Sequence, residues 1–191
     1  MKRKKLVVGL SGASGQIYGV RLLEVLKERE DVETHLIISP SARKTLEIEI
    51  GEPEHVEKLA DHVYDYWNLG ARIASGSFRC EGMVIAPCSI KTASSIAHSI
   101  NDNLIVRTAD VMLKQKRMLV VVVRETPLHV GHLRSLTTLA EIGAVVFPPV
   151  PAFYMKPRSI DDIVNHTVGR ILDFFEIEHN LYEPWGGMIR E

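Results

Sequence analysis

The sequence predicts an α/β fold, with a Rossmann-like, open and mostly parallel sheet that carries helices on both faces in three α/β/α layers. Three observations support this prediction. Short apolar, β-rich runs alternate with helical patterns along the 191 residues, which is typical of parallel sheets wound with helices. A loop of small residues joins the first run to the first helical pattern, and polar residues follow four successive runs. The length fits one well-buried domain.

Each predicted strand is a short apolar run, and each predicted helix has apolar residues three or four positions apart. The strands are expected near residues 5–10, 33–38, 82–86, 118–123 and 144–147. The helices are expected near residues 17–29, 41–50, 89–99, 103–116, 128–142 and 160–175. Residues 51–76 are irregular and polar, so we expect a surface excursion there. The tail 176–191 is too poorly patterned to form core.

The loop after the first strand contains Gly9, Gly12 and Gly15 in a G-x-x-G-x-x-G spacing. Glycine lets a backbone approach a ligand closely, and the N–H groups that begin a helix attract anions. The loop therefore predicts a phosphorylated ligand, although a plain tight turn is the alternative. An NAD site would need an acidic residue after the second strand. Ser39 stands there instead, which favours a mononucleotide such as FMN.

Ligand-type side chains also follow the later strands, at the edge where open parallel sheets bind ligands. Pro87-Cys88-Ser89 follows the third predicted strand, and Arg124-Glu125-Thr126-Pro127 follows the fourth. Ser89 either opens a second phosphate site or only caps its helix. Arg124 either binds phosphate or pairs with a carboxylate. The carboxyl edge of the sheet is thus the predicted ligand site.

Two further patterns each allow two interpretations. Arg107, Asp110 and Lys114 share one face of a predicted helix, and a solvated, ion-paired face explains them without any function. The proline-rich segment 148–154 ends at Tyr154. It either places this phenol over a ligand pocket or forms a rigid loop packed on the core.

The histidines and cysteines predict no metal site. His129 and His132 are three residues apart, but a zinc site needs three or four ligands, and no other cluster has the spacing to complete this pair. Cys80 and Cys88 fit neither a disulfide framework nor a metal pair, which indicates a reducing compartment, by default the cytoplasm. Nothing in the sequence marks a base for Cys88, so a nucleophilic role is the weaker interpretation.

Composition excludes two classes of partner. Lysine and arginine total 23 against 24 acidic residues, for a net charge of -1, so there is no electrostatic reason to expect nucleic acid or an anionic membrane surface. The apolar run 118–123 is far shorter than a membrane span. Any anion site must therefore be local.

Five segments, taken together and in order, resemble the UbiX-type flavin prenyltransferases, a family formerly described as aromatic or phenylacrylic acid decarboxylases. They are Gly12-Ala13-Ser14-Gly15, Pro87-Cys88-Ser89-x-x-Thr92, Asp102-Asn103-Leu104 with Arg107, Asp110 and Lys114, Arg124-Glu125-Thr126-Pro127-Leu128, and Pro151-Ala152-Phe153-Tyr154. The resemblance extends from about residue 5 to residue 175. It is far more specific than any single motif, although Gln115-Lys116-Arg117 departs from the more usual Glu-Arg-Arg.

The resemblance implies a flavodoxin-like FMN domain over residues 1–175. It implies transfer of a dimethylallyl group from dimethylallyl monophosphate to N5 and C6 of reduced FMN, without a metal. The product, prenylated FMN, would serve UbiD-type decarboxylases, and the loop that begins at Thr126 resembles members linked to ubiquinone biosynthesis. A homo-oligomer, commonly a dodecamer, is also implied, with the tail 176–191 packed at a subunit interface.

The resemblance further implies the roles of individual residues. FMN would be bound by Gly12, Ala13, Ser14, Ser39, Ser89, Ile90, Lys91, Thr92 and Arg124. The prenyl phosphate would be bound by Lys114, Tyr154 and Arg170. The catalytic positions would be Glu49, Lys114, Glu125 and Trp185. Cations and a phenol would stabilise the departing phosphate. We expect one edge of the sheet to contain both the flavin phosphate site and the prenyl phosphate site.

Two alternatives remain open at this point. An FMN-dependent decarboxylase of the cysteine-decarboxylase type would share the fold and the flavin site, but segment 151–154 lacks the Pro-x-Met-Asn clamp of that group. A non-enzymatic, flavin-binding accessory subunit of an aromatic acid decarboxylase is the second alternative. Modification of the flavin itself distinguishes the transferase from both.

Overall fold

The computed structural model describes residues 3–187 and forms, within them, a six-stranded sheet in which every pairing is parallel. The strands are β1 (Lys4–Leu10), β2 (Val32–Ile38), β3 (His62–Tyr64), β4 (Gly82–Cys88), β5 (Met118–Val123) and β6 (Val145–Val146). Their order across the sheet is β3-β2-β1-β4-β5-β6. The predicted parallel α/β fold is confirmed.

Five of the seven helices of the described residues begin at a residue whose side chain accepts one of the first N–H groups of the helix. The helices are α1 (Gln16–Lys27), α2 (Pro40–Glu49), α3 (Pro53–Glu57), α4 (Ile90–Ala97), α5 (Leu104–Lys114), α6 (Val130–Glu141) and α7 (Ile160–Asp173). Ser39, Ser89 and Asn103 cap α2, α4 and α5 through their side chains. The ends of the predicted helices and strands agree with the structure to within two residues.

Alternation along the strands divides the core into two layers. Leu6, Val8 and Leu10 of β1 face α1, α2 and α7, whereas Val7 faces α4, α5 and α6. This period of two is that of a strand buried on both faces, and it confirms the three-layer arrangement. Within residues 3–187, no helix combines the length and apolar character needed to cross a bilayer.

The surface excursion expected at residues 51–76 is wrong in part. This region contains α3, the short strand β3 and a 3-10 turn at Arg72–Ala74. The predicted strands alone, without β3, have the strand order of flavodoxin-like folds. β3 pairs with β2 at the edge of the sheet, and with it the order becomes that of the Rossmann fold. β3 has three residues, two of them exposed, so its sequence carries no apolar run that would reveal a strand.

The start of the tail belongs to the core, contrary to expectation. Ile177 is 4% exposed and packs in the same cluster as α1 and α7. Lys4 Nζ donates hydrogen bonds to the carbonyl oxygens of Phe175 and Glu176, at 3.0 and 2.8 Å. These bonds fix the chain after α7 against the start of β1. One apolar residue gives no periodicity, so the pattern did not show it.

Candidate active site

The loops that follow β1, β2, β4 and β5 enclose a cleft of about 400 Å³, within the range of ligand pockets. We call it the sheet-edge cleft. Its lining residues are Gly12, Ser39, Pro40, Ser41, Tyr66, Trp67, Ser89, Ile90, Lys91, Thr92 and Glu125. It lies next to the point where the strand order reverses, between β1 and β4, as expected for a doubly wound sheet. Most of the residues expected to bind FMN therefore meet here.

Hydrogen bonds between neighbouring loops fix the walls of the cleft. The Ser11 hydroxyl donates to the Pro87 carbonyl at 3.0 Å and accepts from the Ser89 N–H at 2.7 Å. The Arg124 N–H donates to the Cys88 carbonyl at 3.0 Å. Ser11 is buried, so the loops after β1 and β4 form one rigid unit.

The first turns of α2 and α4 both open into the cleft. Ser39 Oγ accepts from the Ala42 N–H at 3.1 Å. Ser89 Oγ accepts from the Thr92 N–H at 3.2 Å and donates to the Thr92 hydroxyl at 3.0 Å. The capping role of Ser89 is therefore confirmed. Two helix N-termini with Lys91 beside them also form a suitable environment for a phosphate, so the two interpretations of Ser89 are compatible.

The start of α1, which the small-residue loop favours as a phosphate site, binds a side chain of the protein itself. Glu49 Oε2 accepts the N–H groups of Gly15 and Gln16, each at 2.9 Å. Gly15 caps this helix in a left-handed conformation, with φ at 94°, and no side chain of its own. The carboxylate comes from the end of α2, so an internal anion already holds the place that the loop offered to a ligand.

The pKa of Glu49 is lowered from its ordinary value. Burial alone would raise it, but hydrogen bonds from the Ser14 hydroxyl and from the N–H groups of Gln16 and Gly15 outweigh burial, and the charge of Arg124 adds to them. Hydrogen bonds to the ionised form favour that form. Glu49 is therefore charged throughout the neutral range. Among the residues expected to function in the site, it contacts Ser14 directly, and it also binds the loop that precedes α1.

Replacing Glu49 with glutamine removes this charge and should lower the melting temperature by about 2 °C at pH 7. The folded-state pKa is below the unfolded one, so the stabilisation is present above the unfolded pKa and is lost as the pH falls through the folded pKa. The difference between the wild-type protein and Glu49→Gln should thus shrink below about pH 4. Melting curves from pH 3 to 7 test this, with exposed Glu47→Gln on the same helix as control. A pH-independent difference would contradict the assignment.

Arg124 is exposed at the end of β5 and forms no ion pair with any residue of the described chain. The structural salt bridge offered as the alternative is not formed among residues 3–187, although the charge of Arg124 acts on Glu49. Glu125 is half-buried, lines the cleft and accepts the Thr126 N–H at 3.0 Å. The Arg124 guanidinium lies beside the cleft that Glu125 lines. Because it forms no ion pair within the described residues, it is available to an anionic ligand.

Cys88 is fully buried at the end of β4. Burial raises the pKa of its thiol well above the ordinary value, so the nucleophilic thiolate does not form at neutral pH. The weaker interpretation of Cys88 as a nucleophile is wrong, because the residue serves packing beneath the cleft.

A second pocket lies against α7. It has a volume of about 490 Å³, and we call it the α7 pocket; its lining residues are Ala152, Met155, Lys156, Pro157, Arg158, Asp162, Ile163, His166, Leu181 and Tyr182. The Tyr154 ring packs edge-on against His166 and Trp185, with centroids 6.2 and 5.4 Å apart. Phe153 and Tyr154 are 73% and 56% exposed. The segment is thus not packed on the core, and a covering role for Tyr154 stays a prediction.

Arg170 lies one turn beyond His166 on α7 and is exposed. Its Nε is 3.8 Å from Asp173 Oδ2, which also accepts the Tyr182 hydroxyl at 2.5 Å. Arg170 and Tyr154 are therefore both neighbours of His166. Together with Lys156 and Arg158, they make this surface rich in cations and phenols, as expected for a phosphate site.

Lys114 lies away from both pockets of its own chain. It is the exposed last residue of α5. The start of this helix touches the cleft, because the Leu104 N–H donates to the carbonyl of the lining residue Tyr66 at 2.9 Å. Ten residues of helix then place Lys114 about 15 Å further along the axis. Lys114 therefore does not lie beside the cleft of its own chain, and the expectation that one edge of the sheet gathers both anion sites stays a prediction.

Several other residues of these surfaces are not among those expected from the sequence. Tyr66 and Trp67 line the cleft and pack edge-on at 4.7 Å, but they lie in the region interpreted as a surface excursion. Lys156, Arg158 and His166 line the α7 pocket. Lys156 and Arg158, two and four residues after Tyr154, were the available signal. Ala13 and Ser14 do not line the cleft, although Ser14 contacts Glu49.

Comparison with known proteins relates this geometry to characterised relatives. A family model described as Flavoprotein matches residues 1–172. The flavin prenyltransferase UbiX of Escherichia coli K12 is 56% identical over 187 residues, covering 96% of this chain and 99% of the relative. A crystal structure of AnUbiX (PadA1) in complex with FMN and dimethylallyl pyrophosphate is similar at a TM-score of 0.95 and 46% identity, covering 98% and 100% of the two chains. A dodecameric FMN-dependent Ubix-like decarboxylase from Escherichia coli O157:H7 has a TM-score of 0.93 at 45% identity, covering 96% and 100%.

Proposed function

Because this chain belongs to the UbiX-type flavin prenyltransferases of the Flavoprotein family, we propose that it makes prenylated FMN. The reaction transfers a dimethylallyl group from dimethylallyl monophosphate to reduced FMN, with new bonds at N5 and C6. No metal takes part. The decarboxylase and accessory-subunit alternatives are not favoured, because the relative with 56% identity is itself a flavin prenyltransferase.

One observation carries the flavin site: the starts of α2 and α4 open into the same cleft, beside Lys91. Their N–H groups and the Ser39, Ser89 and Thr92 hydroxyls are donors suited to the FMN phosphate. Gly12 lets the β1–α1 loop come so close to α2 that a Cβ at this position would lie 2.3 Å from Ser41 Cβ. These residues fit FMN, with the phosphate between α2 and α4. Arg124 adds a positive charge at the rim.

In this proposal the prenyl phosphate lies at the edge of the α7 pocket, beside the neighbours of its lining residue His166. Tyr154 and Arg170 bind it, and Trp185 beside Tyr154 helps to exclude water from the reacting carbon. Lys114 lies too far from the cleft of its own chain, so it serves a neighbouring copy. The exposed apolar side chains around this surface, including Val150, Phe153 and Trp185, support an assembly of several copies with the tail at the contact.

The chemistry requires an anion to depart. The bond between the allylic carbon and the phosphate oxygen breaks, the phosphate leaves with the electron pair, and Lys114, Arg170 and the Tyr154 phenol stabilise the charge that develops. Reduced FMN supplies the acceptor atoms. Bond formation at N5 releases the N5 proton. The alkene of the transferred group then takes up a proton so that C6 can bond to it, and the C6 proton leaves, which balances the uptake. We assign these proton transfers to Glu125 in the cleft. Glu49 acts through the loop that it holds.

We infer that the product passes to a UbiD-type decarboxylase, because prenylated FMN is the cofactor of those enzymes. We also infer a cytoplasmic location, where both free cysteines stay reduced. Both inferences rest on the family and on the cysteine chemistry.

Mass spectrometry of the flavin tests the proposed activity. The protein is incubated anaerobically with reduced FMN and, in separate arms, dimethylallyl monophosphate or the diphosphate. The expected result is a flavin heavier by one five-carbon unit in the monophosphate arm, with little product from Arg124→Ala. An unchanged flavin in both arms, while a known flavin prenyltransferase modifies it, would contradict the proposal. Release of carbon dioxide from a cysteine-ending peptide would instead support the decarboxylase alternative.

A further inference from the structure

Strand register brings three metal-ligand side chains together at the β3 edge of the sheet. His35 of β2 lies directly opposite His62 of β3. Glu33 precedes His35 by two residues, so both side chains point to the same face of β2. A carboxylate and two imidazoles therefore converge at the edge of the sheet, where β3 is a short edge strand next to β2.

The distances among these groups are those of a metal site. Glu33 Oε1 is 3.2 Å from His35 Nε2 and 3.1 Å from His62 Nε2. The three ligand atoms lie within 4.8 Å of one another. Tetrahedral zinc with bonds of about 2.0–2.2 Å holds its ligand atoms about 3.4 Å apart. The His62 ring, now stacked nearly parallel to the His35 ring, would have to turn for all three to bind one ion, and it is exposed and therefore free to do so.

His35 supplies an independent observation. Its ring is fully buried, and its Nε2 has no hydrogen-bond partner among residues 3–187. The nearby Glu33 oxygen is close but not aligned for a hydrogen bond. A buried polar atom without a partner costs free energy, and nitrogen lone pairs are what zinc-class ions bind. The orphaned atom points into the space between Glu33 and His62.

The other nitrogen of His35 is held as it is in metal sites. Nδ1 lies 3.0 Å from the Tyr64 hydroxyl, and Arg72 Nε donates to the same hydroxyl at 2.8 Å. The ring also stacks on His62 with centroids 4.8 Å apart and packs edge-on against Phe78. A hydrogen bond at the second ring nitrogen, such as the one to Tyr64, orients the ligand nitrogen in metal centres.

From this geometry we propose that Glu33, His35 and His62 bind one divalent transition-metal ion of the zinc class, with one coordination position left open. Glu33 is six residues before Ser39, so about 20 Å of extended strand separates the site from the sheet-edge cleft. The ion would fasten the short strand β3 to β2. The site takes no part in flavin chemistry and does not depend on the proposed function.

Two cations compete with the ion for the carboxylate. Lys5 Nζ and Arg72 lie 3.2 and 3.6 Å from Glu33 Oε1. Both also lie over the Phe78 ring, at 5.4 and 5.5 Å from its centroid. Phe78 therefore remains as a cation–π partner for each when the metal takes the carboxylate. Their charge makes binding weaker than in a site without cations.

Metal titration of the tag-free full chain tests the proposal. After treatment with a chelator and buffer exchange, the protein is titrated with Zn²⁺, and separately with Co²⁺, whose visible absorption reports tetrahedral nitrogen and oxygen ligands. We expect one ion per chain and a higher melting temperature with Zn²⁺. His62→Gln should weaken binding by at least about tenfold. The pair formed by the exposed His129 and the half-buried His132, both changed to glutamine, serves as the control and should leave binding unchanged.

His62 is exposed, so its variant should fold, and its melting temperature without metal confirms this. Absence of one-to-one zinc binding would overturn the proposal. Equal affinities in the wild-type protein and His62→Gln would also overturn it, as would loss of binding only in the His129 and His132 control. In each of those cases the three residues form an ion-pair network and no metal centre.

Discussion

Lys114→Ala should greatly slow prenyl transfer while FMN remains bound. Lys114 is exposed and about 15 Å along α5 from the cleft, so its loss leaves the flavin site intact. It removes a cation from the departing phosphate, which should reduce turnover by about 10²–10³-fold. Flavin fluorescence titration and mass spectrometry of the product measure the two effects separately. In Arg124→Ala, by contrast, FMN affinity itself should fall.

The position of Lys114 also predicts that two inactive variants can complement each other when their chains assemble into one oligomer. In an oligomer assembled from Lys114→Ala and Arg124→Ala chains, some sites combine an intact Lys114 from one chain with an intact cleft from another. Random mixing should restore about one quarter of the wild-type activity. Activity no greater than the average of the two separate variants would show that each site takes Lys114 and Arg124 from the same chain.

Much of the fold was predictable because it depends on local patterns. β5 is an unbroken apolar run, and α4 and α5 begin at side-chain caps, so both the type and the ends of these elements follow from the sequence. β3 did not, because its three residues are held in the sheet by register with β2 and not by their own hydrophobicity. The buried position of Ile177 depends in the same way on contacts with distant helices.

The same distinction between local patterns and contacts of the folded chain applies to the residues of the candidate site. Ser39, Ser89 and Thr92 follow strand ends, so topology alone predicts that they meet. That Glu49 occupies the start of α1 depends on how α2 packs across the loop, which no spacing rule shows. Lys114 was assigned its role only by family resemblance, and its distance from the cleft is a property of the folded chain. A site shared between copies cannot be read from one chain's periodicity.

Gly12→Ala should weaken FMN binding by about tenfold to a hundredfold with little loss of the fold. A Cβ at this position would lie 2.3 Å from Ser41 Cβ, an atom that cannot move without its backbone. The β1–α1 loop and the start of α2 must therefore separate. Because the start of α2 provides one half of the proposed phosphate site, this separation removes donors from the ligand. Gly12 is exposed, so the strain stays near the surface.

Gly70→Ala is the matched control, because it adds the same methyl group where the nearest atom, Asn68 Oδ1, is 3.4 Å away. It should bind FMN as the wild-type protein does. Fluorescence quenching gives the two affinities, and melting temperatures without FMN show whether both variants fold. If Gly12→Ala binds FMN normally, the flavin phosphate does not lie between α2 and α4. If it loses most of its stability without FMN, the close approach of loop and helix supports the fold more than the ligand.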